Sequence, residues 1–88
     1  MKVVVSSGFD KSYRKRILPN SNLKKRFELR LKLFTKVQNH PLLRNHKLRG
    51  SKEGLYAFSV TGDIRAIYRF KNQDIIELVD VGTHNQVY

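Results

Sequence analysis

The 88-residue chain predicts one α+β domain, in which a hairpin of two helices packs on a mostly antiparallel four-stranded sheet. Three observations predict this fold class. A β-branched run lies near the N-terminus, apolar residues recur at helical spacing over the next 30 positions or so, and from residue 54 onward the period changes to two. The predicted order is β-α-α-β-β-β. Residues 1–88 are expected to form a single domain, because a chain this short builds one core.

The first strand is predicted at residues 2–6, where three consecutive valines favour extended backbone. The following Ser-Ser-Gly breaks the strand and offers a helix cap. Phe9, Tyr13 and Ile17 then recur every four residues, which predicts a short basic helix that ends before Pro19.

The second helix is predicted after the Pro-Asn-Ser-Asn break and ends at Asn39-His40-Pro41. Its apolar residues follow one stripe, in which Arg30 is an alternative to Leu31. The predicted stripe comprises Leu23, Phe27, Leu29, Leu31, Leu33, Phe34 and Val37. The segment from there to Lys52 is predicted as a basic loop anchored by Leu42, Leu43 and Leu48.

Three strands complete the predicted sheet. Over residues 55–60 and 64–70 the period is two, around a Thr-Gly-Asp turn, which is typical of a β-hairpin. The residues predicted to share one face are Tyr56, Phe58 and Val60 in the first strand and Ile64, Ala66, Tyr68 and Phe70 in the second. A second turn at residues 71–74 leads into the last strand at residues 75–81, which Gly82 is expected to end.

The charge is strongly one-sided along the chain. The formal net charge is +11, and residues 1–50 carry 14 basic and two acidic side chains, whereas residues 51–88 carry four basic and five acidic ones. This asymmetry favours a polyanionic partner such as a nucleic acid, although an acidic protein would serve as well. The alternative is that the lysines only solvate helix faces.

Several classes of function are excluded or disfavoured by composition. The chain has no cysteine, which excludes disulfides, thiolate metal sites and thiol nucleophiles. The apolar run at the N-terminus is too short for a signal peptide or a membrane span, so a cytoplasmic protein without membrane contact is predicted. None of the three histidines has a metal-binding spacing, and no phosphate-binding glycine loop is present.

The remaining polar side chains suit one reaction. Cleavage of RNA by its own 2′-hydroxyl needs a base, a cation for the charge that develops on phosphorus, and an acid for the leaving oxygen. Histidine, arginine and lysine near predicted turns could supply these groups without a metal. Composition alone leaves open that the histidines are ordinary surface residues.

Three segments together resemble the RelE/YafQ superfamily of bacterial type II toxins. They are Leu-Arg-Asn-His-Lys-Leu-Arg-Gly at 43–50, Thr-Gly-Asp-Ile-Arg-Ala-Ile-Tyr at 61–68 and Val-Gly-Thr-His-Asn-Gln-Val-Tyr at 81–88. The resemblance covers nearly the whole chain. It implies a ribosome-dependent endoribonuclease that cuts mRNA, needs no cofactor and is silenced by a cognate acidic antitoxin.

The resemblance also implies roles for individual residues. His84 matches the C-terminal catalytic histidine and would act as general acid, whereas His46 and Asp63 are candidates for the general base or for orienting it. Arg65 would hold the scissile phosphate through its guanidinium fork. Tyr88 would stack on a base or donate a hydrogen bond near the reacting hydroxyl.

Other basic residues would bind RNA without taking part in the reaction. Lys47, Arg49 and Lys52 would follow the message backbone, and a cluster on the second helix would grip ribosomal RNA, namely Lys24, Lys25 and Arg26. Three positions depart from the YafQ-like pattern, since Ser59 replaces a histidine, Ile64 a tryptophan and Asp80 an arginine. Arg65 is a candidate substitute for the arginine lost at Asp80.

Each assignment has a simpler alternative. Asp63 could only shape its turn, His46 could only cover Leu43 and Leu48, and Arg65 could pair with Glu77 or Asp80 across the sheet. At the level of the whole protein, the ParE branch of the superfamily inhibits DNA gyrase without cleaving RNA. A nucleic-acid-binding domain with no activity is the third possibility.

Overall fold

The computed structural model describes residues 1–88 and contains one sheet, three α-helices and two short 3₁₀ turns. The strands are β1 (Lys2–Val5), β2 (His46–Lys47), β3 (Tyr56–Ser59), β4 (Ile64–Phe70) and β5 (Ile75–Thr83). The helices are α1 (Ser7–Arg16), α2 (Ser21–Lys36) and α3 (His84–Val87), and the 3₁₀ turns are Pro41–Leu43 and Gly50–Lys52.

The sheet has the strand order β1-β5-β4-β3-β2. β1 runs parallel to β5, and every other neighbouring pair is antiparallel. The register shifts once between β4 and β5, since Ile67 faces Asp80 and Tyr68 faces Leu78, which leaves Val79 as an extra residue. The predicted α+β class and helix hairpin are confirmed.

Three details of the prediction were wrong. The sheet has five strands rather than four, because the basic loop contains β2, which is only two residues long. β5 continues through Gly82 to Thr83, since Arg65 and Ile64 of β4 still pair with these residues. A short helix, α3, follows β5 where no element was predicted.

Side-chain caps define where the two long helices begin. Ser6 Oγ accepts a hydrogen bond from the Phe9 amide at 3.0 Å, and Asn20 Oδ1 accepts from the amides of Asn22 and Leu23 at 3.0 and 3.2 Å. Such caps satisfy amides that have no partner within the helix. The Ser-Ser-Gly signal therefore marks a true helix start. The second helix starts earlier than predicted, because Asn20 is its cap and Ser21 its first residue.

The main core lies between the helix hairpin and the sheet. Thirteen buried apolar side chains form it, and at its centre the ring of Phe34 lies 4.8 Å from that of Phe58 and 4.9 Å from that of Tyr68. The predicted stripe of α2 was too wide, because Leu29 is 61% exposed and Val37 is 50% exposed. In the loop that follows, Leu43 and Leu48 are buried as predicted, whereas Leu42 is 56% exposed.

A second, smaller core lies on the other face of the sheet. It consists of Leu48, Ala57, Ile67 and Val87. Ala57 and Ile67 alternate along their strands with residues of the main core, so their side chains point to the opposite face. Val87 fastens α3 to this face. None of the helices has the length and apolar character that crossing a membrane requires.

Candidate active site

The tight turn between β3 and β4 presents Asp63. Thr61 Oγ1 accepts hydrogen bonds from the amides of Asp63 and Ile64 at 3.1 and 3.0 Å, which fixes the backbone of the turn. The Asp63 side chain itself is exposed and makes no hydrogen bond or ion pair. Its carboxylate is therefore available at the end of the sheet.

Arg65 is the second residue of β4, and its side chain folds back over this turn. Its Nη1 donates to the carbonyl oxygens of Thr61 at 3.1 Å and Gly62 at 3.0 Å. The pairing with Glu77 or Asp80 considered above does not form, because those carboxylates bind other basic side chains. The other N–H groups of the guanidinium have no acceptor within the protein. Backbone carbonyls therefore fix the position of Arg65, but no acidic side chain neutralises its charge.

His84 is the first residue of α3, and the end of β5 positions it. The Gln86 side chain accepts a hydrogen bond from the Thr83 amide at 2.8 Å, and together with the Thr83 hydroxyl it forms a capping box. The Tyr88 amide donates to the His84 carbonyl at 2.9 Å, and the two rings meet edge to face with centroids 4.3 Å apart. The imidazole is exposed, with Tyr88 against one side.

These elements enclose a cavity of about 330 Å³, which we call the catalytic cavity. It is lined by Gly62, Asp63, Arg65, Thr83, His84 and Asn85. Burial raises the pKa of the adjacent Tyr88 phenol, and the Arg65 guanidinium partly offsets this rise. Tyr88 is therefore protonated near neutral pH and can donate a hydrogen bond.

His46 does not share the catalytic cavity. It lies on edge strand β2, three strands away from β5, which at the usual strand spacing is roughly 14 Å. Its Nδ1 lies 2.8 Å from the Arg44 carbonyl oxygen. Because a carbonyl only accepts, Nδ1 carries the proton in this bond, and Nε2 remains free as an acceptor when the ring is neutral.

The other basic residues predicted to bind RNA lie outside the catalytic cavity. Lys47 and Arg49 are exposed around β2, and Lys52 lines a separate cavity that also includes Val87. On α2, Lys24 lies 4.0 Å from Glu28, whereas Lys25 and Arg26 line a shallow groove beside Leu29. These side chains form surfaces on two sides of the molecule rather than one cluster.

The three departures from the family pattern have structural consequences. Ser59 is buried opposite Arg65, and Ile64 is part of the main core. Asp80 binds a residue that the sequence analysis did not single out, since Arg16 Nη1 lies 3.4 Å from Asp80 Oδ1 and donates to the Val81 carbonyl at 3.0 Å. A guanidinium thus still lies beside the Gly-Thr-His segment, but α1 supplies it.

Two further arginines were missed by sequence reasoning. Arg30 and Arg44 line a second cavity that adjoins the catalytic cavity and shares Arg65 with it. The only sequence signal was the position of Arg30 at the border of the apolar stripe of α2.

No three His, Asp or Glu side chains converge as metal ligands would. The site therefore combines a proton donor, a carboxylate and a cation, the groups that phosphodiester chemistry uses.

Comparison with known proteins agrees with this picture. The family model of the bacterial toxin of type II toxin-antitoxin systems, YafQ, matches residues 1–88. No curated protein gives a significant sequence match.

Similar folds occur among solved toxin structures. A copper-bound mutant toxin from Helicobacter pylori superposes with a TM-score of 0.76 at 22% identity, covering 100% of this chain and 99% of that one. A YoeB/ParE toxin from Agrobacterium tumefaciens gives 0.79 at 16% identity, covering 96% of this chain and 99% of that one. The DinJ-YafQ toxin-antitoxin complex of E. coli gives 0.73 at 19% identity, covering 99% and 96%.

These structural likenesses establish the fold, and the family match extends over every residue of the chain. It includes the turn with Asp63 and Arg65 and the C-terminal segment with His84. The chain belongs to the YafQ family of bacterial toxins of type II toxin-antitoxin systems.

Proposed function

We propose that this toxin is a ribosome-dependent endoribonuclease that cleaves mRNA in the cytoplasm without a metal ion. The observation that carries the proposal is the catalytic cavity, around which Asp63, Arg65 and His84 come together from two different segments of the chain. A carboxylate, an arginine without an acidic partner and an exposed imidazole are the groups that 2′-hydroxyl attack requires.

The geometry supports a division of roles. Asp63 shares the cavity with His84 and accepts the proton of the 2′-hydroxyl as its oxygen bonds to phosphorus. Arg65 binds the phosphate and stabilises the negative charge that develops on it. His84 gives a proton to the 5′-oxygen as the P–O5′ bond breaks. The products are a 2′,3′-cyclic phosphate and a 5′-hydroxyl.

Tyr88 and His46 take secondary roles in this scheme. Tyr88, whose phenol is protonated at neutral pH, packs against the His84 ring and donates a hydrogen bond to the phosphate or to a nearby hydroxyl. His46 lies on the edge strand, where its free Nε2 would contact RNA outside the cavity. Because His46 lies outside the catalytic cavity, Asp63 is the base in this scheme.

The charge distribution supports the proposed macromolecular partners. Fourteen basic side chains lie in residues 1–50, most of them on α1, α2 and the loop with β2. We propose that Lys24, Lys25 and Arg26 contact ribosomal RNA and that Lys47, Arg49 and Lys52 follow the message. The DinJ-YafQ structure is a toxin-antitoxin complex, which supports an antitoxin partner for this chain as well. An acidic antitoxin would bind the same positive surface.

Substitution of His84 tests the function directly. His84→Gln should lower ribosome-dependent cleavage about 100- to 10,000-fold, because it removes a proton donor, and should leave the fold intact, because the side chain is exposed. The 5′ ends of a translated reporter mRNA are mapped with and without ribosomes, and the ends are tested for 5′-hydroxyl groups. Arg14→Gln, which removes an exposed charge on α1 that lines neither the catalytic cavity nor its neighbour, is the control.

Three results would contradict the proposal. Equal cutting by His84→Gln and the wild-type protein would remove His84 from the mechanism. Loss of cleavage on chelation of divalent cations from purified components, with ribosomes kept intact by polyamines, would contradict the metal-free reaction. Growth arrest without any mRNA cuts, together with blocked gyrase supercoiling of plasmid DNA, would instead assign the ParE type of activity.

A further inference from the structure

A second cavity lies on the other side of Arg65 and Gly62 from the catalytic cavity. It measures about 320 Å³ and is bounded by α2, the 3₁₀ turn at Pro41–Leu43 and the turn after β3. Three arginines line it, Arg30, Arg44 and Arg65, together with the polar residues Ser59 and Thr61. We call it the arginine cavity.

The positive charge of the arginine cavity is not neutralised within the protein. The five ion pairs of the molecule involve Arg14, Arg16, Lys24, Arg69 and Lys71, and none of the three arginines of the cavity takes part. No acidic residue lines the cavity. Three like charges around one concavity repel one another, so an anion bound there would stabilise the arrangement.

Two of the three guanidinium groups are held in place by backbone carbonyls. Arg30 Nη1 donates to the carbonyl oxygens of Leu42 at 2.8 Å and Ser59 at 3.4 Å, and Arg65 Nη1 is held by the turn carbonyls described above. Each fork keeps its other N–H groups without an acceptor. An anion that enters would meet donors that are already oriented, so little side-chain entropy is lost on binding.

Arg44 reaches the cavity from an unfavourable backbone conformation. Its φ of 46° and ψ of 40° lie in the left-handed region, and it is the only residue other than glycine with positive φ. Glycine adopts this conformation more readily because it has no Cβ to clash with the backbone, and asparagine does so because its short polar side chain can form a local hydrogen bond. The presence of arginine at this position is explained if its side chain is needed for binding.

We propose that the arginine cavity binds a phosphate of the RNA strand adjacent to the scissile phosphate. This inference rests on the proposed function. The two cavities share Arg65 and Gly62, so a single strand can pass from one to the other while Arg65 lies between consecutive phosphates. Arg30 and Arg44 then fix the register of the strand, and the guanidinium fork matches the oxygens of a phosphate.

An acidic peptide is the competing anion. Carboxylates also pair with arginine, but the continuity of the arginine cavity with the catalytic cavity favours a ligand whose charges repeat along one strand. Nothing in the chemistry of an acidic peptide favours its extending past Arg65 toward His84.

The test measures binding of a single-stranded RNA that cannot be cleaved, with 2′-O-methyl groups at every position, so that it does not depend on catalysis. Arg44→Asn removes the cation and suits the left-handed backbone, so the fold is expected to persist, which thermal unfolding checks. We expect about tenfold weaker binding at low salt and a salt slope smaller by about 0.7. Arg30→Gln should behave alike, and Arg14→Gln, which loses one charge from an exposed arginine elsewhere, should change affinity and slope less than either.

Neutral methylphosphonate linkages then locate the contact. One such linkage, next to the cleavage position mapped on the ribosome, should weaken wild-type binding and make Arg44→Asn bind as well as the wild-type protein. If Arg44→Asn binds every oligonucleotide as tightly as the wild-type protein, the proposal is wrong. It is also wrong if the variant loses affinity for polyglutamate but not for RNA. Absence of ribosome-dependent cuts would contradict the proposed function, whereas RNA binding that is insensitive to Arg44 would contradict only the arginine cavity.

Discussion

The two faces of the sheet are built in different ways. The face under α1 and α2 buries thirteen apolar side chains in one continuous cluster, whereas the opposite face buries four. On the first face, aromatic rings pack against each other with no charged group among them. At the end of the sheet that carries the site, Arg65 and α3 are instead held by hydrogen bonds to the backbone and by a capping box.

Stability and activity should therefore depend on different parts of the molecule. Burial of apolar surface supplies most of the folding free energy, and most of that surface lies on the helix-covered face. The polar site contributes little burial, but its hydrogen bonds fix atoms that must meet a substrate. Substitutions on the helix-covered face should therefore change the free energy of unfolding, whereas substitutions at the site should change cleavage. This separation can be tested.

The largest expected effect on stability is at the centre of the helix-covered face. Phe34→Ala should lower the free energy of unfolding by about 3–5 kcal/mol, because it leaves a cavity between two aromatic rings. Cleavage per folded molecule should stay unchanged. Chemical denaturation and a cleavage assay at matched folded concentration measure the two quantities. Phe70→Ala, at a position that is 39% exposed, should cost clearly less. A loss of cleavage without loss of stability in Phe34→Ala would break the separation.

A middle-sized effect is expected where the site depends on close packing. A Cβ at Gly82 would lie 2.6 Å from Gln86 Oε1 and 2.8 Å from Arg16 Nη1. Gly82→Ala should therefore displace the Gln86 side chain, weaken the capping box by about 1 kcal/mol and tilt α3. Because His84 begins that helix, the loss of cleavage per folded molecule, expressed as a free energy of activation, should exceed the loss in the free energy of unfolding.

Gly8→Ala is the matched control for this substitution. A Cβ at Gly8 meets its nearest neighbours at ordinary distances of 3.6 and 3.7 Å. Alanine also favours the helix by up to about 1 kcal/mol, so the variant should be as stable as the parent or more so, with full cleavage. Full cleavage by Gly82→Ala would show that the position of α3 does not matter.

The same comparison explains what the sequence could predict. Period-two alternation placed Phe58 and Tyr68 in the core, and helical spacing placed Phe27 and Phe34 there, because the pattern of a buried face is written locally. Leu29 and Val37 continue that pattern but stay exposed, since a helix that lies across a sheet buries only a narrow stripe. The parallel pairing of β1 with β5 joins residues more than 70 positions apart, which no local pattern encodes.

The site was predictable only in part, for a related reason. The resemblance to toxins pointed to Asp63, Arg65 and His84, which line one cavity in the structure, and also to His46, which lies outside it. Thr83 and Gln86 have the spacing of a capping box, so α3 could have been predicted from residues alone. The placement of Arg30 and Arg44 in one cavity depends on how α2 packs beside the turn after β3, and this is decided by tertiary structure.

The smallest effect on the free energy of unfolding is expected from ionisation of tyrosines at high pH. It should differ between Tyr68 in the core and Tyr88 at the site. Burial raises the pKa of Tyr68 above the ordinary value of 10.0, and the hydroxyl donates to Asn45 Oδ1 at 2.6 Å. Above pH 10, unfolded chains lose the phenolic proton while folded ones keep it. The unfolded state then binds fewer protons, so the free energy of unfolding falls as pH rises until it passes the raised pKa.

The pKa of Tyr88 is also raised by burial, but this residue is 39% exposed and lies beside Arg65. Ionisation of Tyr88 should therefore change cleavage more than it changes the free energy of unfolding. Tyr68→Phe should therefore flatten the loss of stability above pH 10, even though it forfeits a hydrogen bond at neutral pH. Tyr88→Phe should flatten it less, because exposure and the neighbouring Arg65 cation limit the rise in its pKa. Denaturation midpoints between pH 8 and 12 measure both slopes. If the two variants flatten the slope equally, the site end of the sheet contributes to folding as much as the core does, and the division between the two faces does not hold.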